Sequence, residues 1–161
     1  MIRVCCVCLG NICRSPTAEA VLAHLVRQSG LEDEIEIEGA GTSGWHIGEP
    51  PDRRSAAAAR RHGIELRGRS QQFVASEFER FEHVLAMDNA NLRDLMALAP
   101  GDDARAKLSL FRDFSDAGSR MDVPDPYYGA GDGFERVFQI CLASGRGFLA
   151  HLERTHELSS R

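Results

Sequence analysis

An α/β fold, a parallel sheet flanked by helices on both faces, is the class this sequence predicts. Short apolar runs and longer amphipathic stretches alternate four times along the chain. Gly, Pro and Asp gather between them, where turns and helix starts belong. At 161 residues, 43% hydrophobic and 27% charged, the chain suits a single domain, residues 1–161, with a core of its own.

The first strand is expected over residues 2–8, an apolar run broken only by Arg3, as in a strand buried on both faces. Gly10 allows a tight turn, Ser15 is placed to cap a helix, and Pro16 suits its first position. Ala18, Val21, Leu22, Leu25 and Val26 then keep helical spacing to near Gly30. Residues 35–38, Ile-Glu-Ile-Glu, alternate as a strand with one wet face does, and residues 39–51 read as a loop. Asp52 caps a helix running through four alanines, which Gly63 ends in a left-handed conformation. Residues 83–87 form the third strand, followed by a helix capped by Asp88 with Leu92, Leu95 and Met96 on one face. Residues 106–111 are the fourth strand, and a long loop leads to Gly133. The last helix carries Phe134, Val137, Phe138, Cys141, Leu142, Phe148, Leu149 and Leu152 as one stripe, with a weak point at Gly145 and Gly147. In such sheets ligands bind beyond the carboxyl ends of the strands. Residues 8–15, 41–52, 88–91 and 112–132 therefore share one rim.

A net charge of −5 argues against a nucleic-acid or anionic-membrane surface, since each needs a basic face. No apolar run is long enough to span a bilayer. The N-terminal run leads into Gly-Asn-Ile-Cys-Arg rather than a cleavage site, so a cytoplasmic, reducing location is expected. Five cysteines are too few, and odd in number, for a disulfide scaffold. Lys107 is the only lysine; the other cations are arginines, which suit bidentate phosphate recognition.

Four cysteines crowd the first fourteen residues. Cys5 and Cys8 have metal-ligand spacing, but no second pair follows, and on a strand they point to opposite faces. No metal or other cofactor is expected, and Cys5 and Cys6 read as small buried hydrophobes. Cys8 differs through its setting. A loop of about six residues between a buried strand and a helix start can turn its N–H groups inward as an anion nest. The helix pole and Arg14 add positive charge. A cysteine at the base of that nest favours its thiolate form and becomes a nucleophile aimed at a bound phosphorus.

The stretch Val7-Cys8-Leu9-Gly10-Asn11-Ile12-Cys13-Arg14-Ser15-Pro16 resembles the signature of the low-molecular-weight protein tyrosine phosphatases. A second family element, an Asp-Pro pair more than a hundred residues on, appears as Asp125-Pro126-Tyr127-Tyr128, so the resemblance spans nearly the whole chain. It implies a four-stranded sheet in the order 2-1-3-4 and hydrolysis of phosphotyrosine through a phosphocysteine. Cys8 is then the nucleophile, Arg14 the phosphate clamp and Asp125 the general acid and base. Leu9, Gly10, Asn11, Ile12, Cys13 and Ser15 complete the phosphate loop, with the Ser15 hydroxyl bonded to the Cys8 sulfur and Asn11 bracing the loop. Cys13 is either a partner for a protective disulfide with Cys8 or a small buried residue. Trp45, Tyr127 and Tyr128 line the substrate entrance. Substrates are tyrosine-phosphorylated proteins, an autophosphorylating kinase among the candidates, and the protein is a monomer.

The sequence departs from the family pattern in residues 66–72. Where many members carry His-x-x-Arg, Gly68 and Gln71 stand here, so Asn11 needs another support. Three other activities compete with that of a tyrosine phosphatase. An arsenate reductase needs relay cysteines after the third strand, and residues 82–100 hold none. A phosphoarginine phosphatase of the same family carries threonine where Ile12 stands. A phosphate-dependent binding module has no use for a general acid such as Asp125.

Overall fold

The structure, a computed structural model, describes residues 1–126 and 132–160. Four strands among them, β1 (Ile2–Cys8), β2 (Ile35–Gly41), β3 (His83–Ala86) and β4 (Leu108–Leu110), form one parallel sheet in the order β2-β1-β3-β4. The helices are α1 (Arg14–Gln28), α2 (Arg53–Arg60), α3 (Asn89–Leu98), α4 (Asp102–Arg105) and α5 (Gly133–Thr155). The predicted class and strand order both hold.

Pleating of β1 divides the core. Val4, Cys6 and Cys8 enter the layer shared with α1 and α5, while Cys5 and Val7 face the opposite layer with Phe73, Phe78, Phe81 and Leu95. Cys5 and Cys8 thus lie on opposite sides of the sheet. Asp52 caps α2 as expected, its Oδ1 accepting from the N–H groups of Arg54 (2.8 Å) and Ser55 (3.4 Å). Gly63, at φ +76°, closes that helix while the Ile64 N–H reaches the Ala59 carbonyl at 3.1 Å.

Several boundaries differ from the sequence reading. Helix α1 begins at Arg14, so Cys13 holds the cap position without a side-chain cap bond, and Ser15 is already inside the first turn. The Ser15 hydroxyl is drawn instead to the sulfur of Cys8. Strand β2 continues through Gly39, Ala40 and Gly41, residues read as loop, because this end is buried against β1. Gly41 permits the approach: a Cβ there would stand 2.7 Å from the Leu9 carbonyl oxygen. Strand β4 is shorter than residues 106–111, and Phe111 starts a 3-10 turn. In α3 Leu95 is buried but Met96 is 40% exposed, so Met96 leaves the expected face. A 3-10 turn at Ala75–Glu79 and the short α4 were not anticipated. Gly145 and Gly147 are points of close approach rather than weakness. A Cβ at Gly145 would meet Leu25 at 3.1 Å, and one at Gly147 would lie 1.7 Å from the Phe114 carbonyl oxygen.

Candidate active site

Between β1 and α1 the chain from Cys8 to Cys13 curls into a loop whose carbonyls are tied outward. The Cys8 and Leu9 carbonyls accept from the N–H groups of Thr42 and Ser43, each at 2.9 Å, and the Ile12 carbonyl accepts from Asp52 N–H at 2.8 Å. Ser70 Oγ donates to the Gly10 carbonyl at 2.8 Å. With those carbonyls held by the body of the protein, the loop can offer its N–H groups to an anion. Asn11 takes the left-handed conformation the curl needs, at φ +55°.

The sulfur of Cys8 lies at the base. It accepts from the Asn11 N–H at 3.2 Å and sits 3.0 Å from Ser15 Oγ. The Ser15 hydroxyl also reaches the Ala40 carbonyl at 3.3 Å, which ties the base of the loop to the end of β2. Asn11 Nδ2 donates to Ser15 Oγ at 2.7 Å, and the Gln71 N–H donates to Asn11 Oδ1 at 3.1 Å. The support missing from the family pattern is therefore a backbone N–H of the same segment, which side-chain identity at Gly68 and Gln71 does not reveal.

Arg14 is buried, and its Nη1 donates to Asp88 Oδ2 at 2.6 Å and to the Val123 carbonyl at 3.1 Å. Its Nη2 lies 3.7 Å from Asp125 Oδ2. Burial works against the guanidinium charge, but the Cys8 sulfur, Asp88 and Asp125 outweigh it and raise the Arg14 pKa above its ordinary value. Asp88 caps α3 as expected, accepting from Asn91 N–H at 2.6 Å, and its second oxygen is what holds Arg14.

A cavity of about 60 Å³ is lined by Cys8, Leu9, Gly10, Ile12, Cys13, Arg14, Trp45, His46 and Asp125. Trp45 is 78% exposed, standing at the lip rather than packed into the body. Tyr127 and Tyr128 lie outside the described residues. Cys13 is a free, buried thiol, its pKa pushed up to about 12 chiefly by burial, with a hydrogen bond from Ser55 working the other way. His46 was not singled out from the sequence. Its Nδ1 is bonded to Glu49, and its ring covers Gly10, where a Cβ would meet His46 Cδ2 at 2.9 Å. Its place beside Trp45 in a rim loop was the available signal. Among the described residues no group of three or more His, Cys, Asp or Glu side chains is placed to hold a metal, and no helix is long and apolar enough to cross a membrane.

The model of a family described as low molecular weight phosphotyrosine protein phosphatase matches residues 3–158. A low molecular weight protein-tyrosine-phosphatase of Streptomyces coelicolor is 47% identical over 150 residues, 92% of this chain and 92% of that one. A crystal structure of a protein tyrosine phosphatase from Entamoeba histolytica superposes with a TM-score of 0.92 at 33% identity, covering 97% of this chain and 99% of that one. YfkJ from Bacillus subtilis does so with a TM-score of 0.90 at 36% identity, over 96% of each chain.

Proposed function

From the premise that the chain belongs to the low molecular weight phosphotyrosine protein phosphatase family, and is thus a cysteine-dependent phosphatase acting on phosphotyrosine, we propose the following division of labour. Cys8 Sγ attacks the phosphorus of a bound aryl phosphate, forming a P–S bond as the P–O bond to the tyrosyl oxygen breaks. The loop N–H groups and Arg14 hold the equatorial oxygens, whose charge must be stabilised in a loose transition state. Asp125, protonated in the Michaelis complex, gives its proton to the leaving oxygen. Its carboxylate then takes a proton from water, whose oxygen bonds to phosphorus while the P–S bond breaks and the thiolate is restored. Each charge and proton is handled by these side chains, so the scheme routes no step through a metal.

The single observation that carries this reading is the Cys8 sulfur, held by Asn11 and Ser15 in the same cavity that Arg14 and Asp125 line. Trp45, exposed at the lip, is the aromatic side chain placed to meet a phenyl ring, the role the family resemblance also gives to Tyr127 and Tyr128. Leu9 and Ile12 complete the wall, and Ile12 in place of threonine favours an aryl over a guanidino phosphate. Within this reading residues 1–161 act as one catalytic unit, a cytoplasmic monomer whose substrates are tyrosine-phosphorylated proteins such as an autophosphorylating kinase. The test is turnover of phenyl phosphate and of phosphoarginine by the chain and two variants. Cys8→Ser is expected to abolish aryl phosphate hydrolysis, and Asp125→Asn to slow it by about 10²- to 10⁴-fold. Chelators are expected to leave the rate unchanged. Full activity in Cys8→Ser, or a faster reaction on phosphoarginine, overturns the reading.

A further inference from the structure

Glu19 stands on α1 directly behind the phosphate loop. Its Oε2 lies 2.8 Å from the point a Cβ on Gly39 would occupy, and Asn11 Nδ2 lies 3.1 Å from the same point. A cavity of about 250 Å³ opens there, lined by Asn11, Glu19, Glu38, Gly39, Ser70 and Gln71 among others. Among the described residues no hydrogen bond or ion pair holds the Glu19 carboxyl. Burial, with the charge of Glu38 added, pushes its pKa up to about 7.

The groups around it are mixed in sign. Glu38 faces it from β2 and is itself drawn outward by Arg80 Nη2 at 2.8 Å. His24 and Arg27 lie further along α1, and Glu65, Arg67 and Arg69 come from the segment after α2. None of these cations pairs with Glu19. The field of the carboxylate reaches the sheet beneath the loop: burial raises the Cys6 thiol most, and Glu19 raises it further. Asn11 does not depend on Glu19 for its orientation, because Gln71 N–H and Ser15 Oγ already fix both ends of its amide. What Glu19 adds to the loop is charge.

We propose that the charge of Glu19, acting from behind the loop, governs oxyanion binding there. Neutral, it leaves the attraction of the loop N–H groups and Arg14 undiminished; ionised, it opposes a tetrahedral dianion across Asn11. The inference rests on the phosphate-binding role proposed above. Coupling of this kind is reciprocal: a bound anion makes the Glu19 carboxyl harder to ionise.

Sulfate is the suitable probe, because it stays dianionic where phosphate itself titrates. Its inhibition constant against aryl phosphate is to be measured with the full chain and with Glu19→Gln from about pH 5.5 to about 8.5. As pH rises through the midpoint of Glu19, sulfate affinity of the parent chain should fall about three- to tenfold more than that of Glu19→Gln. Carboxyl NMR of glutamate-labelled parent chain covers the case in which the variant does not fold, and the Glu19 midpoint should move upward when sulfate binds. Identical pH profiles in the two proteins, a uniform loss of sulfate affinity in Glu19→Gln, or an unmoved midpoint overturns the inference while leaving the phosphatase reading intact. Failure of sulfate to inhibit at any pH removes the phosphate-loop reading itself.

Discussion

A guanidinium as buried as that of Arg14 persists only because acceptors surround it, and Asp88 is the nearest. Asparagine at position 88 can still accept from the Asn91 N–H, so Asp88→Asn separates the cap from the charge. Loss of a charged hydrogen bond of about 1.5–3 kcal/mol predicts a fall in kcat/KM of roughly tenfold to a hundredfold. Steady-state kinetics beside a thermal melt would check this, and an unchanged rate would show that Arg14 holds its place without that carboxylate. Ser15 Oγ serves three neighbours at once, the Cys8 sulfur, Asn11 Nδ2 and the Ala40 carbonyl. Ser15→Ala leaves the buried Asn11 side-chain Nδ2 without its acceptor, costing about 1–3 kcal/mol of stability, and removes a partner from the Cys8 sulfur. Slower turnover and a lower urea midpoint should appear together. The residues of this loop were legible from the sequence as a constellation, but the hydrogen-bond directions were not. Ser15 read as a helix cap from its place before the periodic helix, whereas its contact with the Cys8 sulfur came from the family resemblance and is present at 3.0 Å.

Element boundaries followed from the sequence where local chemistry decides them. Asp52 and Gly63 are examples, since a carboxylate at a helix start and a left-handed glycine at its end act on their own neighbours. Asp52→Ala should lower stability by about 1 kcal/mol, read from the denaturant midpoint. The end of β2 was not legible, because Gly39-Ala40-Gly41 has poor strand propensity and is held by pairing with β1. Gly147 was misread for a similar reason: glycine in a helix looks like a defect until a carbonyl is found against it. With 1.7 Å between its would-be Cβ and the Phe114 oxygen, Gly147→Ala must push α5 from the 3-10 segment. A loss of about 3 kcal/mol or more in chemical unfolding is expected, against little for substitution at the open Gly101.

Across the whole molecule, the far end of the sheet carries a pH response of its own. His83 meets His156 with their Nε2 atoms 3.0 Å apart, and His151 and Phe148 close around it. Burial first, then His156 and His151, push the His83 pKa down to about 4. The folded chain therefore binds fewer protons at this site than the unfolded one, whose histidine titrates near about 6.5. The contribution of His83 is fully present above that value and is lost as pH falls toward 4. Glu19 acts in the opposite sense, favouring the folded chain at low pH, so the effect of His83 is read as the difference between the chain and His83→Gln in urea melts at several pH values. If the two lose stability in parallel on acidification, His83 is not the sensor. This cluster was invisible in the sequence, where its histidines are scattered, whereas the candidate rim was visible because parallel topology sends every strand-to-helix loop to one edge. The same topology has a consequence at Arg14. Its Nη1 also reaches the Val123 carbonyl, and the Val123 N–H donates to the Met87 carbonyl, so this buried arginine is a tether for the strip of chain that leads to Asp125. A molecule of free guanidine diffusing into an Arg14→Ala variant can restore a positive charge but not that mooring, and chemical rescue should fail.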